Sequence, residues 1–285
     1  MMTPLKTKNY SGDPIKGVGH GLTKMQASLK INSSELGNLA GYGAKFCSPR
    51  EAAEKFWKRN RPDAFKEYVK NHGTPDWKKK DDFVYGNANA KQIMEEARKV
   101  KTENTGDIGG VLKSVSDDKR AATFTAEQKQ FLEEATRTKV FQNHGTRKEG
   151  STLDQWCRET GKNALKPTDR YTLQIHPNVV VVGLIDGRTE DNELVEFKNR
   201  AGGRLFNTIR DYEMAQCQAY LRMVDLERGF LVECLRREGQ DPKLNTIPFT
   251  RDDEFWEDTV ERVLSNIFDP RFECFRVTES GPSAS

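Results

Sequence analysis

A chain of 285 residues is long enough to bury a sizeable core, and 31% charged against 35% hydrophobic residues describes a polar, soluble protein. No apolar run approaches a membrane span, the N-terminus lacks the apolar centre of a signal peptide, and a net charge of +3 is too small to assign a partner. Five cysteines (Cys47, Cys157, Cys217, Cys234, Cys274) without a CxxC pair, and four histidines without ligand spacing, argue against zinc and for reduced thiols in an intracellular protein, cytoplasmic or nuclear.

Residues 1–25 carry Gly, Pro, Lys and Ser without periodicity, which predicts a flexible arm. Order is expected from about Ile31. Asn32, Ser33 and Ser34 ahead of Glu35, Leu36, Leu39 and Ala40 predict a short capped helix, stopped by Gly41 and Gly43. Ser48-Pro49-Arg50-Glu51 joins a capping box to a proline at the first helical position, and Ala52, Ala53, Phe56 and Trp57 give that helix its apolar face. Over residues 45–80, basic side chains such as Lys55, Lys58, Arg59, Lys66 and Lys70 are interleaved with Phe56, Trp57, Phe65, Tyr68 and Trp77. That mixture suits a phosphate backbone with stacked bases. It also suits amphipathic helices with a solvated face, which is the favoured reading.

Residues 81–120 show a helical patch at 91–100 and then a Gly-, Ser- and Thr-containing stretch read as a mobile connection. A helix is expected over 125–141. Another apolar helical face begins after Gly145, with Leu153, Trp156 and Cys157, and puts Glu149 in its first turn or two. There the carboxylate either favours the helix N-terminus or points at a metal. Neither Gly109-Gly110 nor Gly161-Lys162 has the surroundings of a phosphate loop.

Residues 178–200 read NVVVVGLIDGRTEDNELVEFKNR. Val179, Val180, Val181 and Val182 predict a buried strand that ends at Asp186, residues 187–192 a turn, and residues 193–198 a second strand paired with the first. Alternation turns Val195 and Phe197 into a core and Leu194, Glu196 and Lys198 to the other face. Asp186 and Glu196 then stand side by side, which two carboxylates tolerate when a hard divalent cation such as magnesium lies between them. With Lys198 on the same face the group suits metal-assisted phosphodiester hydrolysis, although Glu-x-Lys on a strand also serves as a solvated ion pair. An amphipathic helix is expected over 212–223, with Gln216 and Tyr220 sharing a face, then a strand at 229–234, a helix at 251–268 and a disordered tail at 278–285. The order of elements implies an α/β domain with a mixed central sheet.

Several of these pieces together resemble the PD-(D/E)XK (restriction-endonuclease-like) nucleases, within them the phage lambda exonuclease and YqaJ-type viral recombinase branch. The resemblance lies in Gly145-x-x-x-Glu149, Asp186, Glu196-Phe197-Lys198, Ala215-Gln216-Cys217-Gln218, the segment from Asn32 to Gly37, and Ser48-Pro49-Arg50-Glu51. It covers about residues 31–57 and 140–240 and leaves 60–135 unexplained, so one nuclease domain over 26–277 with an insertion foreign to the family is expected. The resemblance implies a mixed sheet flanked by helices. It also implies Mg2+, with Mn2+ as a substitute, bound by Asp186 and Glu196 with help from Glu149. Lys198 would orient or deprotonate the attacking water, and Gln218, or Gln216 with Tyr220, would fix the lysine or the substrate. Ser34 matches the serine that receives a 5′-phosphate in the family. The accompanying arginine falls on Ala27, leaving Lys30 or Lys24 to replace it.

The implied activity is 5′-to-3′ exonuclease action on double-stranded DNA ends in recombination or repair. Implied partners are a single-strand annealing protein and further copies of the chain in a ring of three. A structure- or site-specific endonuclease, an RNA-degrading nuclease and a non-catalytic DNA-binding scaffold are the alternatives.

Overall fold

The valine run at 179–182 forms a strand, but in a different sheet from the strand that carries Glu196 and Lys198. The computed structural model describes residues 28–275; the expected arm and tail lie outside the described residues, as do Lys24 and Ala27. In chain order, β1 (Leu29–Asn32) passes through a 3-10 turn (Ser33–Glu35) into α1 (Leu36–Leu39), α2 (Pro49–Asn60) and α3 (Pro62–His72). Then come α4 (Asp76–Gly86), α5 (Ala88–Lys99), α6 (Thr105–Ser116) and α7 (Ala126–Thr160). The strands β2 (Ala164–Leu165), β3 (Tyr171–His176), β4 (Val179–Gly183), β5 (Gly187–Thr189) and β6 (Leu194–Asn199) follow. The chain closes with α8 (Asp211–Val224), β7 (Arg228–Leu235), β8 (Lys243–Thr250) and α9 (Asp253–Ile267).

One sheet has the order β1-β4-β3 and the other β2-β5-β6-β7-β8. Parallel pairs (β1 with β4, β6 with β7) stand beside antiparallel ones, so the fold is mixed α/β with flanking helices, the class expected from the sequence. The expected pairing of the valine strand with the Glu196 strand is corrected. Both edges of β4 are taken, by β1 and β3, and none remains for β6. The chain instead leaves the first sheet after Gly183 and enters the second at Gly187, so the hairpin is β5–β6 and half of the expected turn is itself a strand.

The two helices expected at 125–141 and from Gly145 are one 35-residue helix, capped by Thr125 and ended by Gly161 at φ 68°. A helical glycine costs about 1 kcal/mol relative to alanine. Packing at both ends of α7 outweighs Gly145 and Gly150. Leu132 and Val140 join an apolar cluster with Val84, Ile93, Met94, Ile108 and Val111, while Leu153 and Trp156 pack on Val195, Phe197 and Val232. Glu149 therefore stands in mid-helix, away from the helix N-terminus that one of its two readings required.

The stretch read as a mobile connection is helical and has its own small core, formed by α4–α6 and the first half of α7. In the basic segment, Phe56, Trp57, Phe65, Tyr68 and Trp77 are all buried in the main core, so their rings are not free to stack on bases. Many of the interleaved cations are paired, including Lys55 with Glu51, Lys58 with Asp81 and Lys78 with Asp82. Among the described residues no helix is long and apolar enough to cross a membrane.

At the end of β4, Gly183 is closely covered by α8 and by the turn after β1. A Cβ there would lie 2.5 Å from Tyr220 Cε1 and 2.8 Å from Ser33 Oγ. Gly183→Ala is expected to cost about 1–3 kcal/mol, as overpacking of a tight interior does; urea denaturation measures it.

Candidate active site

β5 and β6 pair only through Gly187–Val195 and Arg188–Leu194. Beyond that point the Asp186 side chain takes the place of a neighbouring strand: its Oδ2 accepts the Phe197 N–H at 2.9 Å. One hydrogen bond thus fixes where the chain leaves one sheet and how β6 begins its open edge. Alternation along β6 sends Val195 and Phe197 to the α7 side and Leu194 to the opposite cluster, the face it shares with Glu196 and Lys198.

Glu196 is 3% exposed. Its Oε1 accepts from Lys198 Nζ at 2.8 Å, and Lys198 Nζ also donates to Gln216 Oε1 at 2.9 Å. Gln216 Nε2 donates to the Tyr220 hydroxyl at 3.0 Å, which accepts from Ser33 Oγ at 2.9 Å. A continuous chain of bonds therefore runs from the lysine on β6, through α8, to the turn after β1. These groups line a cleft of about 870 Å³, together with Ser34 at its exposed mouth, Glu149 and Phe141 of α7, and Arg170.

The electrostatics follow from crowding acids in a dry place. Burial, and then the charge of Glu196, push Asp186 up to about 7, against the lowering effect of the Phe197 N–H. Burial disfavours the Lys198 ammonium, but the charge and hydrogen bond of Glu196 more than offset this and hold its pKa above the ordinary lysine value. Glu149 is raised by burial and by Asp186. Its Oε2 is bound by Lys166 Nζ at 2.6 Å. Behind the cleft, buried Arg200 bonds Glu213 at 2.6 Å and Glu233 at 2.8 Å, anchoring the start of α8 and the loop before it to β7.

Asp186, Glu196, Lys198, Glu149, Ser34, Gln216 and Tyr220 all line this cleft. Gln218 does not. It is fully buried on another face of α8, where it accepts from Asp252 N and Arg222 and donates to Thr250 O. Lys30 is also outside the cleft lining; it is exposed on β1, its backbone held by Arg59 and Asn60.

Four contributors escaped the sequence reading. Ser33 is the neighbour of the serine that was singled out. Asn199 follows Lys198 and clamps α7 on either side of Glu149: its Oδ1 accepts from Thr152 Oγ1 at 2.8 Å and its Nδ2 donates to Gly145 O at 3.2 Å. Lys166 and Arg170 flank the short strands β2 and β3, whose pattern gave no signal.

Among the described residues no three Asp, Glu, His or Cys side chains close on one point as a metal cage. The donors nevertheless suit a hard cation. Glu196 Oε2 is buried without any hydrogen-bond partner, an expensive state for a carboxylate oxygen, and Asp186 stands beside it. Lys166 occupies one oxygen of the Glu149 carboxylate and leaves the other to join them.

In structure the chain is similar to exonucleases. The alkaline exonuclease LHK-Exo from Laribacter hongkongensis is 16% identical, with 57% of this chain and 88% of its own covered and a TM-score of 0.38. Its complex with dAMP gives 15% identity and a TM-score of 0.37 over the same shares. A phage related exonuclease from Haemophilus somnus is 12% identical, covering 87% of this chain and 94% of its own at a TM-score of 0.40. No family model matches the sequence, and no curated protein matches it significantly.

Two outcomes follow from the geometry. An acid whose folded pKa is raised keeps a proton that the unfolded chain releases, so stability falls as pH rises from the ordinary carboxylate range to about 7. In EDTA, Asp186→Asn is therefore expected to raise the melting temperature at pH 8 and to have little effect at pH 4. Equal shifts at both pH values would contradict the assignment. Asn199→Ala should cost about 1–3 kcal/mol, the usual penalty for orphaning buried polar partners. It should also speed hydrogen exchange over residues 145–152, read by mass spectrometry.

Proposed function

We propose that the chain is a metal-dependent deoxyribonuclease of the PD-(D/E)XK type, acting as a 5′-to-3′ exonuclease on double-stranded DNA ends. The observation that carries this reading is the half-buried Asp186 beside the buried Glu196, with an unsatisfied oxygen on Glu196 and a lysine next to it in one open cleft. A structural scaffold has no physical reason to hold two carboxylates in this way. Asp186 and Glu196 would hold magnesium, with manganese as a substitute. When bound, the ion supplies Lewis-acid charge that favours attack on a phosphodiester at neutral pH.

The protein's own groups do the positioning. Lys198 donates both of its bonds seen in the structure, to Glu196 and Gln216, and so presents an ammonium toward the cleft. That charge orients a water and offsets negative charge growing at the phosphate. Gln216, Tyr220 and Ser33 keep the lysine from swinging away. Ser34 at the mouth, with Arg170, offers a hydroxyl and a guanidinium to a terminal phosphate; Arg170 replaces Lys30 in that role because it lines the cleft and Lys30 does not.

The test uses magnesium with linear duplexes bearing either a 5′-phosphate or a 5′-hydroxyl, beside a closed circle. Mononucleotides from the linear ends and an untouched circle are expected, with Arg170→Ala erasing any preference for the phosphate. Cutting of the circle would establish an endonuclease, and no cleavage with magnesium or manganese would establish a scaffold. Lys198→Ala should lower the rate by about 10²–10³-fold, the usual cost of losing one electrostatic stabiliser, while DNA binding in calcium persists. A near-normal rate in that variant would remove Lys198 from the mechanism.

A further inference from the structure

A second basic site lies outside the cleft, where the loop joining β6 to α8 folds against the β7–β8 turn. It is a pocket of about 170 Å³ to which Arg204, Arg237 and Lys243 bring three cations and Asp241 one carboxylate, with Asn207 and Gln240 as further polar groups. None of the three cations is in an ion pair with a described residue, in contrast to Lys55, Lys58 and Lys78 elsewhere on the surface. Three cations beside one carboxylate leave the pocket with a net positive charge, which favours an anion.

The loop that presents them is pinned in place. The buried Glu233 carboxylate accepts the N–H groups of Phe206 and Asn207, and Arg237 Nη2 donates to Gly203 O at 3.2 Å. Gly203 (φ 79°) and Asn207 (φ 59°) supply the left-handed turns this path needs. The Arg204 guanidinium lies 5.0 Å from the Phe206 ring centroid, and Arg210 lies on the same ring at 3.8 Å. Two of the three cations, Arg204 and Arg237, are thus tied to the loop before any ligand arrives. No aromatic side chain lines the pocket to stack a base, so its chemistry is that of a phosphate.

We propose that this pocket binds a backbone phosphate of the nucleic-acid strand whose scissile bond lies at Asp186 and Glu196. The inference rests on the proposed nuclease function. It also fits the chain path. Arg204 is six residues beyond Lys198, and at 3.3–3.6 Å per extended residue the two are no more than about 20 Å apart. That is the reach of a few nucleotides of the same strand.

The test is the double variant Arg204→Gln with Lys243→Gln, both exposed positions that leave the Arg237–Gly203 bond in place. Binding of a fluorescent oligonucleotide duplex is measured in calcium across a range of salt, beside magnesium-dependent hydrolysis of bis(p-nitrophenyl) phosphate and titration with dAMP. Expected is weaker DNA binding whose log–log salt slope falls by about one to two, with hydrolysis of the small diester unchanged. An unchanged affinity and slope would overturn the proposal. Loss of dAMP binding with the DNA slope intact would assign the pocket to a free nucleotide and also overturn it. Failure of the wild type to hydrolyse either substrate would instead bring down the nuclease reading, while the DNA-binding arm would still report on the pocket.

Discussion

The bond from the Phe197 N–H to Asp186 Oδ2 is the joint on which the rest of the structure turns. On one side of it the chain has just left β4, whose two edges are filled; on the other it enters β5 and then β6. Because a carboxylate rather than a strand satisfies Phe197, the β6 edge opens there into a cleft, with no backbone donor left unpaired at that point. The same carboxylate is thereby fixed beside Glu196. Topology and chemistry are set by one side chain.

That joint is held at an energetic cost. Two carboxylates and a lysine share a poorly hydrated space, one carboxylate oxygen has no partner, and Asp186 resists ionisation. The surrounding protein opposes this strain with satisfied bonds. Arg200 is sandwiched between Glu213 and Glu233, and the Glu213 carboxyl, which burial alone would raise, is held at about 2 by Arg200 and Arg210. The contrast separates the two clusters physically. One has its charges matched and serves as a brace; the other crowds its acids and leaves one carboxylate oxygen without a partner.

Much of this was legible in the chain. That Glu196 and Lys198 share one face follows from strand alternation, a local property that tertiary context did not override, whereas Asp186 reaches them through the crossing between the two sheets and not through the expected hairpin. The Ser48 cap and the outlines of α2, α8 and α9 have the same local origin. What escaped was set by long-range pairing. β1 is four residues and β2 only two, and neither has a pattern until its partner is known. β8 contains Pro248, which discourages a strand reading but is tolerated on the edge of a sheet. Gln218 was misplaced because one helical turn carries two glutamines on different faces, and only the packing of α9 decides which faces the lysine.

The length of α7 bears on how the chain can be divided. At 1.5 Å per residue its 35 residues form a rod of about 50 Å. Its first half is one wall of the core it shares with α4–α6, and its second half is one wall of the sheet's core. Residues 76–121 are therefore not an excisable module. Removing residues 76–121 would uncover the apolar face of a helix on which the second sheet also packs, and would leave Glu149 on a beam with one end unsupported.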